Sequence, residues 1–261
     1  MKVLFIGDIF GRNGRTFLKE NMENLKNKYS PDFIIANGEN LAGGKGITPS
    51  LAKEIFSMGV DFMTSGNHAF AKSEMLDYFD DNPNKIIRPL NFTRACPGKG
   101  YAILRKKDKS LGVINVIGQV FLSPADNPFW AVEDVLDEMK KECKNILVDF
   151  HGEATSEKQA FAWHFDGRVS AVLGTHTHVQ TADERILPFG TAYISDVGMT
   201  GPYDGIIGAD KEVVIGRFLS DMPAYFTSEK GRAQLNGVYI EMCEDTGKSL
   251  SIERIYEIDK L

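Results

Sequence analysis

The sequence predicts an α/β fold of two packed sheets with helices outside them. Three observations lead there. The first third reads β-α-β-α-β, which implies a parallel sheet. The middle holds a hairpin and then further strands separated by helices. The C-terminal part holds a second hairpin, and so mixed a set suits two sheets better than one.

The elements follow in order. "KVLFI" (2–6) is a short apolar run of buried-strand type. Residues 12–28 carry Phe17, Leu18, Met22 and Leu25 at helical spacing. "DFIIAN" (32–37) is a second strand. "TPSLAKEIFSMG" (48–59) is a helix with Thr48 as N-cap, Pro49 at its first position and Gly59 as a stop. "VDFMTS" (60–65) is a third strand. Residues 100–106 and 111–118 form a hairpin around a turn at Lys106–Ser110. A helix near 130–143, a strand at 145–150, a helix near 155–165 and a strand at 169–174 come next. Two strands around Thr246-Gly247 close the pattern. No linker, repeat or low-complexity tract interrupts it, so residues 1–261 are read as one domain.

Composition narrows the function. The chain is 43% hydrophobic and 25% charged with a net charge of −6, which argues against binding nucleic acid through a broad basic field. Cys96, Cys143 and Cys243 are far apart and odd in number, as expected of reduced thiols in a cytoplasmic protein. The N-terminal apolar run is interrupted by Asp8, and no stretch approaches a membrane span.

The chemistry lies just past the strands. Gly7-Asp8 follows the first, Asn37-Gly38-Glu39-Asn40 the second and Gly66-Asn67-His68 the third. His151 follows "NILVDF", and Thr175-His176-Thr177-His178 follows "VSAVLG". Ligands of open α/β sheets bind at the carboxyl ends of strands. Four of the five histidines fall at such ends. Asp8, Glu39, Asn40, Asn67, His151, His176 and His178 make a mixed O/N set without thiolate, suited to Mn²⁺, iron or Zn²⁺. They are too many for one ion and suit two that share a carboxylate, the usual clamp for phosphoester cleavage. In an extended segment His176 and His178 would face the same way, one for each ion.

Each piece alone has a plainer reading: Gly7-Asp8 a turn, Glu39-Asn40 a solvated loop, His151 a satisfied core histidine. Their recurrence at strand end after strand end is what argues for a site. His164, inside "AFAWHF", is read as a packed helical residue. "GDIFGRNG" (7–14) fails the spacing of a dinucleotide loop, and "GENLAGGKG" (38–46) lacks the first glycine and the hydroxyl of a P-loop. The glycines of that second stretch are expected to let backbone approach a metal or phosphate.

The blocks "GDIF", "NGEN", "GNH" and "THTH" resemble, in order, those of calcineurin-like metallophosphoesterases. Phe10 replaces a histidine of the first block, and Glu39-Asn40 an aspartate of the second. With "GDIFGRNGR", "DFHGEATSEK", "GTHTHVQTAD" and "DVGMTGP", the resemblance is to the bacterial YmdB-like phosphodiesterases. One departure is "GNHAFAK", where Phe70 and Ala71 stand in place of an expected aromatic–acid pair.

The resemblance implies a four-layer α/β/β/α sandwich with two mixed sheets. It implies two divalent or trivalent metal ions per chain, iron or manganese, with zinc or magnesium as alternatives. Asp8, Asn40 and His178 would hold one ion; Asn67, His151 and His176 the other; Glu39 would bridge, and His68 would be the general acid. The implied substrates are cyclic nucleotides, particularly 2′,3′-cyclic monophosphates, hydrolysed by a hydroxide bridging the metals. A homo-oligomer in a bacterial cytoplasm is also implied. Two rival readings stand beside it: a phosphomonoesterase or protein phosphatase on the same centre, and a metal-bound regulatory protein with little turnover.

Overall fold

The computed structural model describes residues 1–122 and 124–260. Strands β1 (Lys2–Ile6), β3 (Phe33–Asn37) and β4 (Phe62–Thr64) run parallel and adjacent. On the other side of β1 lies β12 (Ala233–Met242), antiparallel and in register from Lys2↔Glu241 to Ile6↔Gly237. Its hairpin partner is β13 (Ser249–Ile258), and β11 (Met199–Pro202) and the two-residue β2 (Asp8–Ile9) complete this first sheet. The second sheet has the order β5 (Tyr101–Lys106), β6 (Lys109–Ile117), β7 (Ile146–His151), β8 (Ala171–Thr175), β10 (Ala192–Ile194) and β9 (Arg185–Ile186).

Three apolar clusters define four layers. Leu4, Ile6, Ile34 and Ala36 pack against Phe17, Leu18, Met22 and Leu25 of α1 (Gly11–Tyr29) and against Ala52 and Ile55 of α2 (Pro49–Ser57). Their chain neighbours Val3, Phe5, Phe33 and Ile35 point the other way and meet Leu111, Val113, Leu147 and Leu173 of the second sheet. The outer face of that sheet packs on Val132, Leu136 and Met139 of α4 (Pro128–Glu142) and on Phe161 of α5 (Thr155–His164). The central strands are therefore buried on both faces. That is why they read as continuous apolar runs without alternation.

The caps behave as the sequence suggests. Thr48 Oγ1 accepts from Leu51 N at 3.3 Å, with Pro49 at the first helical position. The hairpin of β5 and β6 is tighter than expected, since Lys106 pairs Lys109 and the turn is Lys107-Asp108. The elements without a clear sequence signal are short: β2, β9, β10, β11 and α3 (Met75–Asp81). Helix α6 (Lys211–Ser220) also lacks such a signal; it buries Val214 but leaves Phe218 and Leu219 exposed, so it has no regular apolar face. Among the described residues no helix is long and apolar enough to cross a membrane.

Two glycine substitutions should have opposite signs. A Cβ on Gly174 in β8 would lie 1.8 Å from the Ser195 carbonyl oxygen, whereas one on Gly216 in α6 would meet nothing within 4 Å. Gly174→Ala should cost about 1–3 kcal/mol through overpacking. Gly216→Ala should add up to about 1 kcal/mol through helix propensity. Thermal melts of the two variants measure both, and equal shifts would mean that the close packing around Gly174 is not as described.

Candidate metal centre

The carboxyl ends of β1, β3, β4, β7 and β8 converge at one edge of the two sheets. Asp8, Glu39, Asn40, Asn67 and His68 come from the first sheet, and His151, His176 and His178 from the second. Every residue singled out for the site is in this group, whereas His164 stands apart. His164 is the last residue of α5, and its Nε2 lies 2.8 Å from Glu133 of α4. Its side chain is 43% exposed. Its ring packs edge-on against Phe129 and Phe165, as expected of a packed residue, but its place at the helix end corrects the mid-helix position.

The contacts divide into two groups joined by Glu39. In one, His178 Nε2 lies 3.5 Å from Asp8 Oδ2 and 3.1 Å from Asn40 Nδ2. In the other, His151 Nε2 lies 3.0 Å from Asn67 Oδ1 and 3.1 Å from His176 Nδ1. Glu39 Oε1 is 3.1 Å from Asn40 Nδ2 and 3.3 Å from His151 Nε2. Its Oε2 accepts from the His68 backbone N–H at 3.1 Å. Glu39, His151 and His176 bring one ligand atom each to within 4.8 Å of one another.

Backbone geometry explains how the residues reach this point. Asn37 Oδ1 accepts from Glu39 N at 3.1 Å and turns the chain after β3. Gly66 passes so close that a Cβ there would lie 2.3 Å from Glu39 Oε2 and 2.5 Å from His151 Nε2. The glycine against the cluster is thus in "GNH". Gly44, expected to run along a metal or phosphate, packs on the Phe10 ring instead, its notional Cβ 2.4 Å from that ring. The extended segment expected across Thr175–His178 is also corrected. His176 has φ 108° and His178 φ 66°, so the chain turns there through left-handed conformations. The backbone N–H of His176 donates to Asp8 Oδ2 at 3.0 Å, which ties that turn to the first sheet. Phe70, the departure in "GNHAFAK", packs between Phe79 and Phe92.

Each imidazole is fixed by its far nitrogen. Thr175 Oγ1 donates to Asp149 Oδ1 at 2.7 Å, and so accepts from His151 Nδ1–H at 2.9 Å. That leaves His151 Nε2 facing the cluster. His178 Nδ1–H donates to the Ile207 carbonyl at 2.8 Å. His176 Nε2–H meets Glu153 Oε2 at 3.2 Å. Such outer partners set tautomer and ring orientation for ligand histidines. Asp149, Thr175 and Glu153 lie inside the blocks "DFHGEATSEK" and "THTH" but are not singled out for the site, although the period-two alternation of β7 places Asp149 and His151 on one face.

A second outer partnership supports the histidine turn. Lys158 Nζ lies 2.8 Å from Asp196 Oδ2, and both are buried. The same Oδ2 accepts from Thr177 N at 3.0 Å, between the two histidines. Asp196 Oδ1 accepts from Gly198 N at 2.9 Å.

The electrostatics call for a cation. Asp8, Glu39 and Asp149 are all buried within this edge. Burial holds the Asp8 carboxyl well above its usual range. Burial also acts to raise Glu39, but the His151 and His68 imidazoles outweigh it and hold Glu39 well below. For His151 burial acts downward, yet Glu39, Asp8 and Asp149 raise it to about 9. Burial, then the His151 cation, pushes His176 down to about 3. His151 thus acts as the local counter-cation. Asp8 Oδ1 finds no hydrogen-bond partner among the described residues although it is buried. Carboxylate, imidazole and amide donors facing inward, with one carboxylate oxygen unsatisfied, fit hard or borderline metal ions. Binding them would release the His151 proton. As it stands, Asn40 turns Nδ2 toward Glu39 and His178, and Oδ1 toward His68 Nδ1 at 3.1 Å. A half-turn of this amide would present oxygen to a cation.

Comparison with known proteins agrees with the geometry. The family model for YmdB-like proteins matches residues 4–255. The chain is 51% identical over 255 residues to a 2′,3′-cyclic-nucleotide 2′-phosphodiesterase of Bacillus subtilis, covering 98% of this chain and 96% of the relative. A Thermus thermophilus structure described as a hypothetical protein superposes with TM-score 0.93 at 39% identity, covering 100% of both chains. The crystal structure of a novel phosphatase from Mycoplasma pneumoniae superposes with TM-score 0.92 at 37% identity, covering 99% of this chain and 93% of that one.

Two outcomes test the outer partners. Lys158→Met leaves Asp196 buried without its cation and should destabilise the protein by about 3–5 kcal/mol. Adding Asp196→Asn should recover part of that loss, and denaturant titration of the single and double variants reads the coupling. His164→Ala should leave metal content and turnover within about twofold of the parent, as expected for a surface ion pair.

Proposed function

The chain belongs to the YmdB-like family, and from that membership we propose that it is a metal-dependent phosphodiesterase that opens 2′,3′-cyclic nucleotides. One observation carries the reading: carboxylates, amides and imidazoles from two different sheets meet in two groups joined by Glu39, with His68 beside them. The likeness to the Bacillus subtilis 2′,3′-cyclic-nucleotide 2′-phosphodiesterase supplies the substrate class.

In this reading residues 1–261 act as one domain. Asp8, Asn40 and His178 would hold one ion, and Asn67, His151 and His176 the other. Glu39 would serve both, and the O/N donor set suits iron or manganese. Such ions, when bound, lower the pKa of water and draw charge from the phosphoryl oxygens. The remaining work falls to the chain. The phosphate is expected to lie over the cluster with its O2′ bond directed at His68. His68 Nδ1 faces the Asn40 amide at 3.1 Å, Oδ1 as it stands and Nδ2 after the half-turn that would serve a cation, and lies 3.5 Å from Glu39 Oε1; either orientation leaves Nε2 free for the leaving oxygen. Its side chain is 27% exposed, so it can exchange protons with solvent between turnovers. Water adds to phosphorus as hydroxide, its other proton passing to solvent; the P–O2′ bond breaks, and His68 gives its proton to O2′ and regains one from solvent. A 3′-monophosphate results.

Glu39 and His68 should fail in different ways. Glu39→Gln should reduce metal content below the expected two or so ions per chain, and activity with it on every phosphoester. His68→Ala should retain metal and lose about 10²–10⁴-fold in turnover of 2′,3′-cyclic AMP. The same variant should lose much less on p-nitrophenyl esters, whose leaving group hardly needs a proton. Elemental analysis together with a panel of 2′,3′-cyclic, 3′,5′-cyclic and monoester substrates measures all of this. Parallel loss of metal in both variants, or equal loss on both leaving groups, would remove His68 from the acid role.

A further inference from the structure

A second concavity opens beside the centre on the far side of His178. It has a volume of about 380 Å³ and is lined by His178, Met199, Tyr203, Ile207, Asn236 and Tyr256 among others. It touches the cluster at two points. His178 contributes one wall while its Nε2 faces Asp8 and Asn40. Met199, in another wall, is the ladder partner of Asp8 across β2 and β11.

The strands of the C-terminal hairpin build its far side. Asn236 of β12 is directly opposite Tyr256 of β13, so the two side chains share a face. Tyr203 is held by its backbone, whose N–H donates to Arg232 O at 2.9 Å. The Arg232 guanidinium covers its ring at 4.8 Å, and Asp204 anchors that guanidinium in turn. An aromatic wall is therefore set in place before any ligand arrives. Asn236 is 1% exposed; its Oδ1 accepts from Met199 N at 3.2 Å, but its Nδ2 finds no acceptor among the described residues. An unpaired buried amide donor is costly to keep unless something brings it an acceptor.

Two tyrosines and the unpaired amide of Asn236, lining a concavity that His178 joins to the cluster, match the needs of a heterocycle with π faces and acceptor atoms at its edge. The geometry points to this concavity as the subsite for the purine or pyrimidine base of the nucleotide. The ribose then spans His178, with its cyclic phosphate on the cluster and its base against the wall formed by Tyr203 and Tyr256. This rests on the phosphodiesterase reading above, and it adds what that reading lacks: a reason for the centre to prefer a nucleotide over a bare phosphoester.

The test uses two variants and two kinds of measurement. Tyr256 is 52% exposed on β13, so Tyr256→Ala should fold; Val179, at the mouth and 59% exposed, can be replaced by Trp to fill the space. Both should raise KM for 2′,3′-cyclic AMP by about tenfold, the scale of one lost base–aromatic stack. Both should leave kcat/KM for bis(p-nitrophenyl) phosphate within about twofold. Binding of adenosine, which has no phosphate, is followed separately by saturation-transfer NMR on the metal-free protein; it should be seen in the parent and in His68→Ala and be lost in Tyr256→Ala and Val179→Trp. If the parent binds adenosine but does not hydrolyse cyclic nucleotides, the phosphodiesterase reading fails and the base subsite stands. If adenosine does not bind, or if both variants keep the parental KM for 2′,3′-cyclic AMP, the subsite is wrong whatever the activity.

Discussion

The structure is organised around the burial of negative charge. Asp8, Glu39 and Asp149 lie out of water at the edge where two sheets meet, and no hydrophobic gain offsets three desolvated carboxylates. The surroundings are arranged to make that burial tolerable. Backbone N–H groups of His68 and His176 point at Glu39 and Asp8. Asn37 and Thr175 donate to Asp149. The imidazole of His151 stands between them, held cationic by the same carboxylates. A place that already recruits one positive charge at neutral pH is a place where multivalent cations are at home.

The two sheets divide the work. The first brings carboxylates and amides on turns that follow β1, β3 and β4; the second brings imidazoles from the ends of β7 and β8. Neither half is a site alone. Behind the histidines is a set of groups that would not touch an ion or a phosphate yet fix the direction of every ring: Asp149 through Thr175, the Ile207 carbonyl, and Glu153. The Lys158–Asp196 pair supports the turn that carries two of the three rings, and it does so from inside, where exchange with solvent cannot weaken it. Gly66 completes the arrangement by having no side chain where Glu39 and His151 come together.

Much of this was legible in the sequence, for a physical reason. Strands buried on both faces appear as uninterrupted apolar runs, so their ends are sharp, and at these ends stand Asp8, Glu39, Asn67, His151 and His176. What could not be read was set by partners distant along the chain. Asp149 and Lys158 stand at the two ends of the block "DFHGEATSEK", yet nothing in the block says that Asp149 meets Thr175 or that Lys158 meets Asp196. The turn at His176–His178 was expected to be extended because nothing local announces its positive φ angles; they depend on hydrogen bonds to Asp8 and Asp196. Short elements such as β2, β10 and β11 exist only because a longer neighbour pairs with them, and α6 lacks the apolar stripe by which a helix is recognised.

The position of β12 has a consequence for how the protein is made. Residues 233–242 lie inside the first sheet, with β13 along one edge and β1 followed by β11 along the other, and they pair with residues 2–6. A chain growing from its N-terminus can form β1, β3 and β4 early, but β1 then keeps a bare hydrogen-bonding edge until β12, which begins at Ala233, has been translated. During that interval the nascent chain shows an unpaired parallel edge of buried-type residues, the kind of surface that aggregates or engages chaperones. Asp8 has no fixed place before Met199 pairs with it, nor Gly7 before Asn236 accepts its N–H. The centre is therefore a late, post-translational assembly, and metal should be acquired by the completed chain and not by one still on the ribosome.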